Sequence, residues 1–507
     1  MSDETPAGPD LARGVPAEAI GDGAMLAGHV GDEAVLIARV DGQLHAIGAA
    51  CTHYHGPLAE GLIVDGAVRC PWHHACFDLK TGEALGAPAI DPVACWAVET
   101  RDGKVFVTGR KTSTPAKIWT GAARRVVIIG GGAAGFATAE WLRREGFTGD
   151  VTLLSADDQP PYDRPNCSKD FLAGEAPAEW MPLRDEDFYK EQRIDLRLGV
   201  EATGFDPGPK TVSLKDGDTL PYDVLVLAMG AEPQRPPIPG FDGEDVHVLR
   251  SLDDAEAIIA AVDKAKRVAV IGASFIGLEA AAALTQRKLE VHVVAPETTP
   301  LEKVLGRDLG EWVKQLHEEK GVTFHLGRKV LGYADGRLTL DQGDPIAADF
   351  VVAGTGVKPR TALAEAAGLK VDNGVVVDDR LRTSAPDVYA AGDIARYPGG
   401  LNGGLIRVEH WVHAERQGQH VARMILGEDA PFTDPPFFWS AHYDRSLRHS
   451  GHAEKFDAPE IEGSLTKGSA IVRYRRDGNL LAVATLDRDL ENLEAERAFE
   501  RKARAAH

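Results

Sequence analysis

The pattern of apolar and polar positions changes character along the chain. Between residues 14 and 109, short apolar runs such as AVLIARV and KVFVTG alternate with polar turns, which is typical of β-strands. Four turn dipeptides separate these runs, namely Asp41-Gly42, Asp65-Gly66, Thr81-Gly82 and Asp102-Gly103. The pattern predicts an all-β region, followed over residues 110–124 by a polar linker that contains Pro and Gly.

From Arg125 onwards, apolar strands alternate with helical segments, which indicates βαβ units and a parallel sheet. After about residue 430 the chain becomes β-rich again, with a hairpin expected at Asp477-Gly478. A charged helix is predicted over roughly 488–505. A chain of 507 residues is too long for one hydrophobic core, so these changes of pattern are predicted to mark separate domains.

The α/β region contains an internal duplication. A segment beginning RVVIIGGGAAG is followed by a second beginning RVAVIGASFIG, and their alignment places Gly130 over Gly272 and Gly135 over Gly277. Each glycine-rich loop follows an apolar strand and opens a helix. This arrangement lets the backbone approach a pyrophosphate at a helix N-terminus, and the chain is therefore predicted to bind two dinucleotides.

The first motif has every expected part in order. Gly130 permits the tight turn, Gly132 lets the backbone approach the pyrophosphate, and Gly135 allows the helix to pack closely on the strand. Asp157, near the end of the next strand, is positioned to accept a hydrogen bond from a ribose hydroxyl.

The second motif departs from the usual pattern at Ser274, where a glycine is common, although serine is small enough to let a pyrophosphate approach. Glu297 aligns with Asp157 of the first copy and is the candidate for the ribose of the second nucleotide. An enzyme that reads a 2′-phosphate needs an arginine near the strand tip. None is adjacent, so NADH is favoured over NADPH.

Net charge and cysteine content narrow the class of protein. The formal charge of −21 disfavours nucleic acid and anionic membranes as partners. No run of about 18 apolar residues exists, so no membrane span is expected. The N-terminus has no apolar signal region, and five cysteines in this length do not form a disulfide framework. A reducing cytoplasm is therefore the expected location.

Two loops in the β region pair a cysteine with a histidine, in Cys51-Thr52-His53 and in Cys70-Pro71-Trp72-His73. Two thiolates and two imidazoles suit a Rieske centre, in which one iron takes both sulfurs and the other takes both nitrogens. The same set would also serve structural zinc. The alternating order and the β surroundings favour the Rieske centre.

The segments CTHYHGPL and CPWHHACFD resemble the two cluster-binding loops of Rieske ferredoxins. The resemblance implies four ligands to a 2Fe–2S cluster, and these are Cys51, His53, Cys70 and His73. His55 and His74 lie beside the ligands and are expected to be neighbours of the cluster or surface residues.

The chain lacks side chains that high-potential Rieske proteins carry. Gly56 and Trp72 stand where those proteins have a further cysteine pair, and Ala75 and Phe77 stand where they have a serine and a tyrosine. Fewer hydrogen bonds to the cluster sulfurs stabilise the reduced state less, so the reduction potential is expected at the low end of the Rieske range.

From Arg125 to the C-terminus the chain resembles oxygenase-type ferredoxin reductases and apoptosis-inducing-factor-like flavoproteins, which include members with an N-terminal Rieske domain. The matching segments are PYDRPNCSK, VYAAGD and RVEHWVHAERQG, together with the strand ends LAMG and VAGTG. In the first segment the resemblance implies that Arg164 and Lys169 contact FAD. It further implies that Glu279 faces Lys169 near the flavin N5 and that Asp393 binds the ribitol.

The resemblance and the motifs together define the candidate site. Three residues are predicted to act directly in hydride transfer: Lys169, Glu279 and Trp411. Cofactor binding is predicted for these three and for a longer set, comprising Gly130, Gly132, Ala134, Gly135, Asp157, Arg164, Gly272, Ser274, Phe275, Ile276, Gly277, Glu297, Gly356, Asp393, Glu409 and His410.

The implied architecture is multidomain, with an all-β Rieske domain, two Rossmann-like α/β dinucleotide-binding domains of the glutathione-reductase type, and a small α+β C-terminal domain. The predicted boundaries are 14–109 for the Rieske domain, 110–124 for the linker, 125–248 with 360–429 for the FAD domain, 249–359 for the NAD(P) domain, and 430–507 for the C-terminal domain.

The implied function is an electron relay from NAD(P)H through FAD to the Rieske cluster and then to a redox protein, such as a terminal oxygenase, a ferredoxin or a cytochrome. Two alternatives stay open. One is a redox-sensing, apoptosis-inducing-factor-like flavoprotein that binds NADH. The other is a single-cysteine peroxidase or disulfide reductase that uses Cys167. The protein is expected to be a monomer or a homodimer.

Overall fold

The computed structural model describes residues 7–111, 117–122, 124–399 and 403–506. Part of the predicted linker, at 112–116 and 123, therefore lies outside the described residues. The chain forms two compact units. The first unit contains residues 1–118 together with Arg144–Gly146 and Arg488–Lys502, and the second contains the remainder.

A six-stranded antiparallel sheet forms the larger layer of the first unit. Its strands, in spatial order, are Val15–Pro16, Lys104–Arg110, Cys95–Arg101, Gln43–Gly48, Glu33–Val40 and Met25–Val30. Two of its hairpins turn on Asp41-Gly42 and Asp102-Gly103, where all four residues have positive φ, between 50° and 74°. These are the torsions that two-residue hairpins require, so the sequence prediction of these turns is confirmed.

A smaller antiparallel sheet of four strands carries the second Cys–His loop. Its strands are Leu62–Val64, Ala67–Arg69, Cys76–Asp78 and Ala84–Gly86. The loop from Cys70 to Ala75 joins two of them, and both cysteines of the predicted cluster lie in the hydrophobic core between the sheets. Burying the loop ends in this core fixes their backbone.

The second unit is built around two five-stranded parallel sheets. The first has the order Ile194–Arg197, Val151–Leu154, Val126–Ile129, Val224–Leu227 and Val388–Ala390. The second has the order Val246–Val248, Phe350–Ala353, Arg267–Ile271, Glu290–Ala295 and Thr323–Leu326. The central strands, Val126–Ile129 and Arg267–Ile271, are those that precede the two glycine motifs, so each motif lies at the carboxyl edge of its sheet, where α/β folds bind ligands.

Smaller sheets complete the second unit. Three of them are three-stranded: Ala202–Asp206, Thr211–Leu214 and Thr219–Pro221; Val330–Ala334, Arg337–Leu340 and Ile346–Ala347; and Val375–Val376, Ala395–Pro398 and Leu405–Ile406. Ala231–Pro233 pairs with Val357–Pro359. The C-terminal sheet has the order Phe437–His442, Arg445–Gly451, Asn479–Leu486, Ser469–Arg476 and Glu460–Ser464. The hairpin between strands Ser469–Arg476 and Asn479–Leu486 turns on Asp477-Gly478, as predicted.

Ten α-helices lie in the described part of the chain: Ala133–Arg144, Asp170–Ala173, Glu186–Glu191, Leu252–Val262, Phe275–Gln286, Glu302–Leu305, Arg307–Glu319, Ala362–Ala366, Trp411–Ile425 and Asp489–Ala505. No helix among the described residues is long and apolar enough to cross a membrane. The predicted fold class, an all-β region followed by two α/β domains and a small sheet with a final helix, is confirmed.

Candidate iron–sulfur centre and dinucleotide pocket

The two Cys–His loops adopt the same turn. In the first, the Cys51 backbone N–H donates to the Gly56 carbonyl (2.9 Å), and the His55 N–H donates to the Cys51 carbonyl (2.9 Å). In the second, Cys70 donates to Ala75 (2.8 Å) and His74 donates to Cys70 (3.2 Å). Each loop therefore closes on its cysteine through the same pair of backbone hydrogen bonds.

The four predicted ligands lie together as two like pairs. The thiols of Cys51 and Cys70 are hydrogen-bonded to each other and are only 1% and 2% exposed. The Nδ1 atoms of His53 and His73 are 3.2 Å apart. Sulfur therefore faces sulfur, and nitrogen faces nitrogen.

This arrangement fits a two-iron centre. No group of three or more His, Cys, Asp or Glu side chains among the described residues is placed to hold a single ion. A tetrahedral zinc site would bring all four donors to one point, whereas a Rieske centre uses the thiolates on one iron and the imidazoles on the other. Burial lowers the pKa of His53 to about 3, which keeps its imidazole neutral, as a metal ligand must be.

Neighbouring residues shape the centre. A Cβ at Gly56 would lie 2.7 Å from the Cys70 sulfur, so the glycine is needed for the two loops to approach. Tyr54 stacks on His53, with ring centroids 4.0 Å apart, and meets the edge of His73 at 5.3 Å. Tyr54 is not among the residues predicted from the sequence, although its position next to His53 was the available signal.

A cavity of about 970 Å³ lies within the second unit. Most of the predicted cofactor-binding residues line it, namely Gly130, Gly132, Ala134, Asp157, Arg164, Lys169, Ser274, Phe275, Ile276, Glu279, Gly356, Asp393, Glu409, His410 and Trp411. Four predicted residues are not among its lining: Gly135, Gly272, Gly277 and Glu297. The cavity is large enough for a drug-sized or larger ligand.

The three glycines outside the lining have packing roles. A Cβ at Gly135 would lie 1.9 Å from the Gly130 carbonyl oxygen, and one at Gly277 would lie 2.4 Å from that of Gly272. Gly272 itself has φ of +101°. They allow each helix to start directly against its strand, while a Cβ at Gly132 would point towards the Arg164 guanidinium at 3.5 Å.

Ser274 has a structural reason to replace glycine. Its hydroxyl accepts a hydrogen bond from the Gly277 N–H (3.3 Å) and donates to the Gly354 carbonyl (3.0 Å). It is therefore the N-cap of helix Phe275–Gln286. Capping, rather than small size alone, explains the departure from the usual motif.

The acids of the two copies are held differently. Asp157 accepts hydrogen bonds from the Gln159 backbone N–H (3.0 Å) and from the Tyr162 hydroxyl (3.0 Å) at the cavity wall. Glu297 is half-buried beyond the strand Glu290–Ala295. The structure therefore brings the first acid to the cavity but not the second.

Lys169 and Glu279 meet inside the cavity. The Lys169 ammonium lies 2.8 Å from the Glu279 carboxylate, which is only 3% exposed. The same carboxylate accepts hydrogen bonds from the hydroxyls of Ser168 (2.6 Å) and Ser440 (2.7 Å). A buried carboxylate needs such partners to stay charged. Neither serine is among the residues predicted from the sequence, and Ser440 comes from the distant C-terminal sheet.

The remaining candidates also line the cavity. Asp393 forms an ion pair with Arg250, and Glu409 forms one with Arg407 at 2.6 Å. Burial raises the pKa of Glu409 and lowers that of His410 to about 3. Trp411 begins helix Trp411–Ile425. These groups supply carboxylates, a neutral imidazole and an aromatic side chain to the cavity lining.

Cys167 is poorly suited to redox chemistry. It is 2% exposed, and burial raises the pKa of its thiol to about 12. The thiolate is the reactive form of cysteine, so a thiol held protonated near neutral pH is a weak nucleophile. The alternative function based on Cys167 loses its support.

Comparison with known proteins covers nearly the whole chain. Residues 14–97 match the Rieske [2Fe-2S] domain, residues 124–418 match the pyridine nucleotide-disulphide oxidoreductases, and residues 437–507 match the reductase C-terminal domain. Apoptosis-inducing factor 3 of Homo sapiens is 33% identical over 90% of this chain and 78% of that protein. Rhodocoxin reductase of Rhodococcus erythropolis is 36% identical over 73% of this chain and 88% of that protein.

Solved structures agree with the sequence comparison. The covalent complex of putidaredoxin reductase with putidaredoxin contains a chain of 33% identity that aligns with a TM-score of 0.73. The alignment covers 75% of this chain and 94% of that one.

The matches identify the bound groups that the two sites accommodate. The predicted FAD, NAD(P)H and 2Fe–2S cofactors are confirmed. The chain is an FAD-dependent NAD(P)H oxidoreductase of the ferredoxin reductase class. It belongs to the pyridine nucleotide-disulphide oxidoreductase family, as a member with an N-terminal Rieske [2Fe-2S] domain and a reductase C-terminal domain.

Proposed function

We propose that the protein takes electrons from NADH through FAD to its own Rieske centre and delivers them to a separate redox protein, such as a terminal oxygenase, a ferredoxin or a cytochrome. One observation carries this proposal. A single chain contains both a pair of thiols beside a pair of imidazoles and a cavity lined by two dinucleotide motifs. The first suits one-electron chemistry and the second suits hydride transfer.

The residues divide into three groups under this proposal. Cys51, Cys70, His53 and His73 bind the cluster. Residues around the first motif, with Arg164, Asp393, Glu409 and His410, hold FAD, and those around the second motif, with Gly356 and Glu297, hold the nicotinamide nucleotide. The domain boundaries proposed with this division are 14–109, 125–248 with 360–429, 249–359 and 430–507.

FAD, when bound, accepts two electrons together as a hydride and releases them singly, which matches a nucleotide donor to an iron–sulfur acceptor. The chain's own contribution is electrostatic. Lys169 places a positive charge at the cavity wall, and Glu279 holds that ammonium in position. Trp411 adds an aromatic side chain to the lining of the same cavity. Fixed charges and rings of this kind orient the reactants and exclude water.

The identity of the partner rests on relatives. Proteins similar to this chain are named as the ferredoxin–NAD(+) reductase component of an anthranilate 1,2-dioxygenase system and as putidaredoxin reductase. A redox protein acceptor is the common feature of these names. The low cysteine content supports a reducing, cytoplasmic compartment, and the protein is either a monomer or a homodimer.

A second function is favoured by one observation. The match to apoptosis-inducing factor 3 spans 90% of this chain. Under this alternative the protein binds NADH tightly, turns over slowly, and signals its redox state to a partner. Turnover with ferricyanide and with cytochrome c separates the two functions, since a reductase is fast with such acceptors and a sensor is slow.

Analysis of the purified protein tests the cofactor basis of the proposal. We expect FAD and two irons per chain, and a rhombic electron paramagnetic resonance signal after reduction with dithionite. NADH should reduce both centres under anaerobic conditions. A protein that contains zinc and no iron, or whose cluster stays oxidised while NADH reduces the flavin, would contradict the relay.

A further inference from the structure

The two cluster loops share a turn but differ at its fifth residue. His55 and His74 occupy equivalent places, and both have positive φ, at 58° and 64°. Residues other than glycine pay about 1–2 kcal/mol for this left-handed conformation. His55 is exposed to solvent, whereas His74 is only 1% exposed. Both loops therefore keep a histidine in a place where glycine would be less strained, but only the second loop buries it.

The last helix of the chain holds the His74 side chain. The Nδ1 atom of His74 lies 2.7 Å from the Glu496 carboxylate, and neither side chain has any exposed surface. Glu496 belongs to helix Asp489–Ala505, which falls in the reductase C-terminal match yet contributes Arg488–Lys502 to the first unit. A buried carboxylate is costly unless it is paired, so loss of the His74 contact would leave Glu496 with an incompletely compensated charge.

The same helix holds the other end of the loop. Arg69, directly before Cys70, makes two hydrogen bonds to Glu500, at 2.5 and 2.9 Å, and its guanidinium lies 3.6 Å from Glu496. Arg497 joins Glu500 at 3.1 Å. The ligand-bearing segment from Cys70 to His73 is thus fixed on both sides by one helix face.

Two consequences follow for a cluster bound at this loop. Anchoring on both sides limits how far Cys70 and His73 can move between the oxidised and reduced states. Glu496 also contributes one negative charge to the buried network beside this loop, where it offsets the positive charge of Arg69. That contribution opposes the gain of an electron, since reduction adds one negative charge to the cluster and Coulomb energies are large where water is excluded.

We propose that Glu496 is a positioning residue of the iron–sulfur centre, which acts through His74 on the second cluster loop and lowers the reduction potential of the cluster. The inference rests on the proposed ligand set. It assigns to the C-terminal helix of the reductase region a role in setting how readily the cluster accepts an electron.

The test compares Glu496→Gln with Glu494→Gln, an exposed position on the same helix, in the full-length protein. Glutamine keeps the shape but removes the charge. We expect both variants to retain FAD and two irons. In Glu496→Gln the equilibrium between the oxidised and reduced cluster should shift towards the reduced form by up to about tenfold. This corresponds to a rise in the midpoint potential of about 59 mV for one electron. The electron paramagnetic resonance g values should also change, while Glu494→Gln should match the parent.

A second pair of variants covers the case in which Glu496→Gln fails to fold. His74→Gly removes the contact but relieves the strained φ, and His55→Gly makes the same change in the other loop. The first should alter the g values and the potential, and the second should not. Parent-like values in Glu496→Gln, or equal effects of the two glycine variants, would overturn the inference. A parent that lacks a rhombic signal would instead overturn the proposed function.

Discussion

The proposed iron–sulfur centre takes all of its donors from two loops between Cys51 and His73, whereas the proposed flavin cavity takes its wall from segments between Ile129 and Trp439. In the first site, sequence spacing nearly determines which atoms meet. In the second, Lys169, Glu279 and Ser440 meet only because three separate elements pack together. Short-range sites can be inferred from a motif, whereas a site of the second kind depends on the whole fold.

If the two sites act in series, they should be separable by mutation. His73→Ala should give the largest effect, because it removes a proposed iron ligand and the loop offers no replacement. Delivery of electrons to the native acceptor should fall on the order of 100-fold or more. Reduction of the flavin by NADH should stay near the parent rate in stopped-flow measurements, and ferricyanide should still be reduced.

His55→Ala is the matched control for this experiment, since His55 is exposed in the equivalent turn. It should leave electron delivery unchanged. A His73→Ala protein with full activity towards the native acceptor would show that the cluster is not on the electron path.

Lys169→Ala is the reverse experiment, because it should slow hydride transfer in the cavity and leave the cluster intact. Glu279 would keep its two serine partners but lose its countercharge. We expect FAD to remain bound and flavin reduction by NADH to slow by about tenfold to 100-fold, since a charge-assisted hydrogen bond contributes about 1.5–3 kcal/mol. The cluster's spectrum should not change. Lys190→Ala, which alters an exposed lysine, serves as the control, and equal rates in the two variants would remove Lys169 from hydride transfer.

Glu297→Ala sharpens the comparison between the two halves of the duplication. If Glu297 accepts from the ribose of NADH, the KM for NADH should rise by roughly tenfold, the loss expected for one hydrogen bond to a charged group. The KM for NADPH should change little. Because Glu297 is not among the cavity lining, equal changes for both nucleotides would assign ribose recognition to another group.

The smallest effect is expected at Cys167. Its pKa of about 12 leaves the thiol protonated at pH 8, and the thiolate fraction should rise about tenfold with each further pH unit. Alkylation of Cys167 by iodoacetamide should therefore be slow at pH 8 and should speed up with pH. Cys167→Ser should keep NADH-dependent activity. Rapid labelling at pH 8, or loss of turnover in the variant, would restore the cysteine-based alternative.

The local sequence determined the tight turns, the first dinucleotide loop and the cluster loops of this protein. The Asp-Gly pairs specify tight hairpins because both residues tolerate positive φ, as Asp477-Gly478 illustrates. The glycines of the first motif predict a dinucleotide-binding loop, since no larger residue fits between helix and strand at Gly135. The alternating cysteines and histidines predicted a two-iron centre because each Cys–His pair lies within one short turn.

Tertiary structure alone decided the contacts that join distant segments. The sequence around Glu279 does not predict its hydrogen bond with Ser440. In the charged C-terminal helix, the sequence does not distinguish buried Glu496 from exposed Glu494. The alignment of Glu297 with Asp157 likewise suggested equal positions, yet only Asp157 lines the cavity. The physical reason is the same throughout. A motif fixes torsions and spacing within a few residues, whereas the partner of a buried charge is chosen by packing between elements that are far apart in the chain.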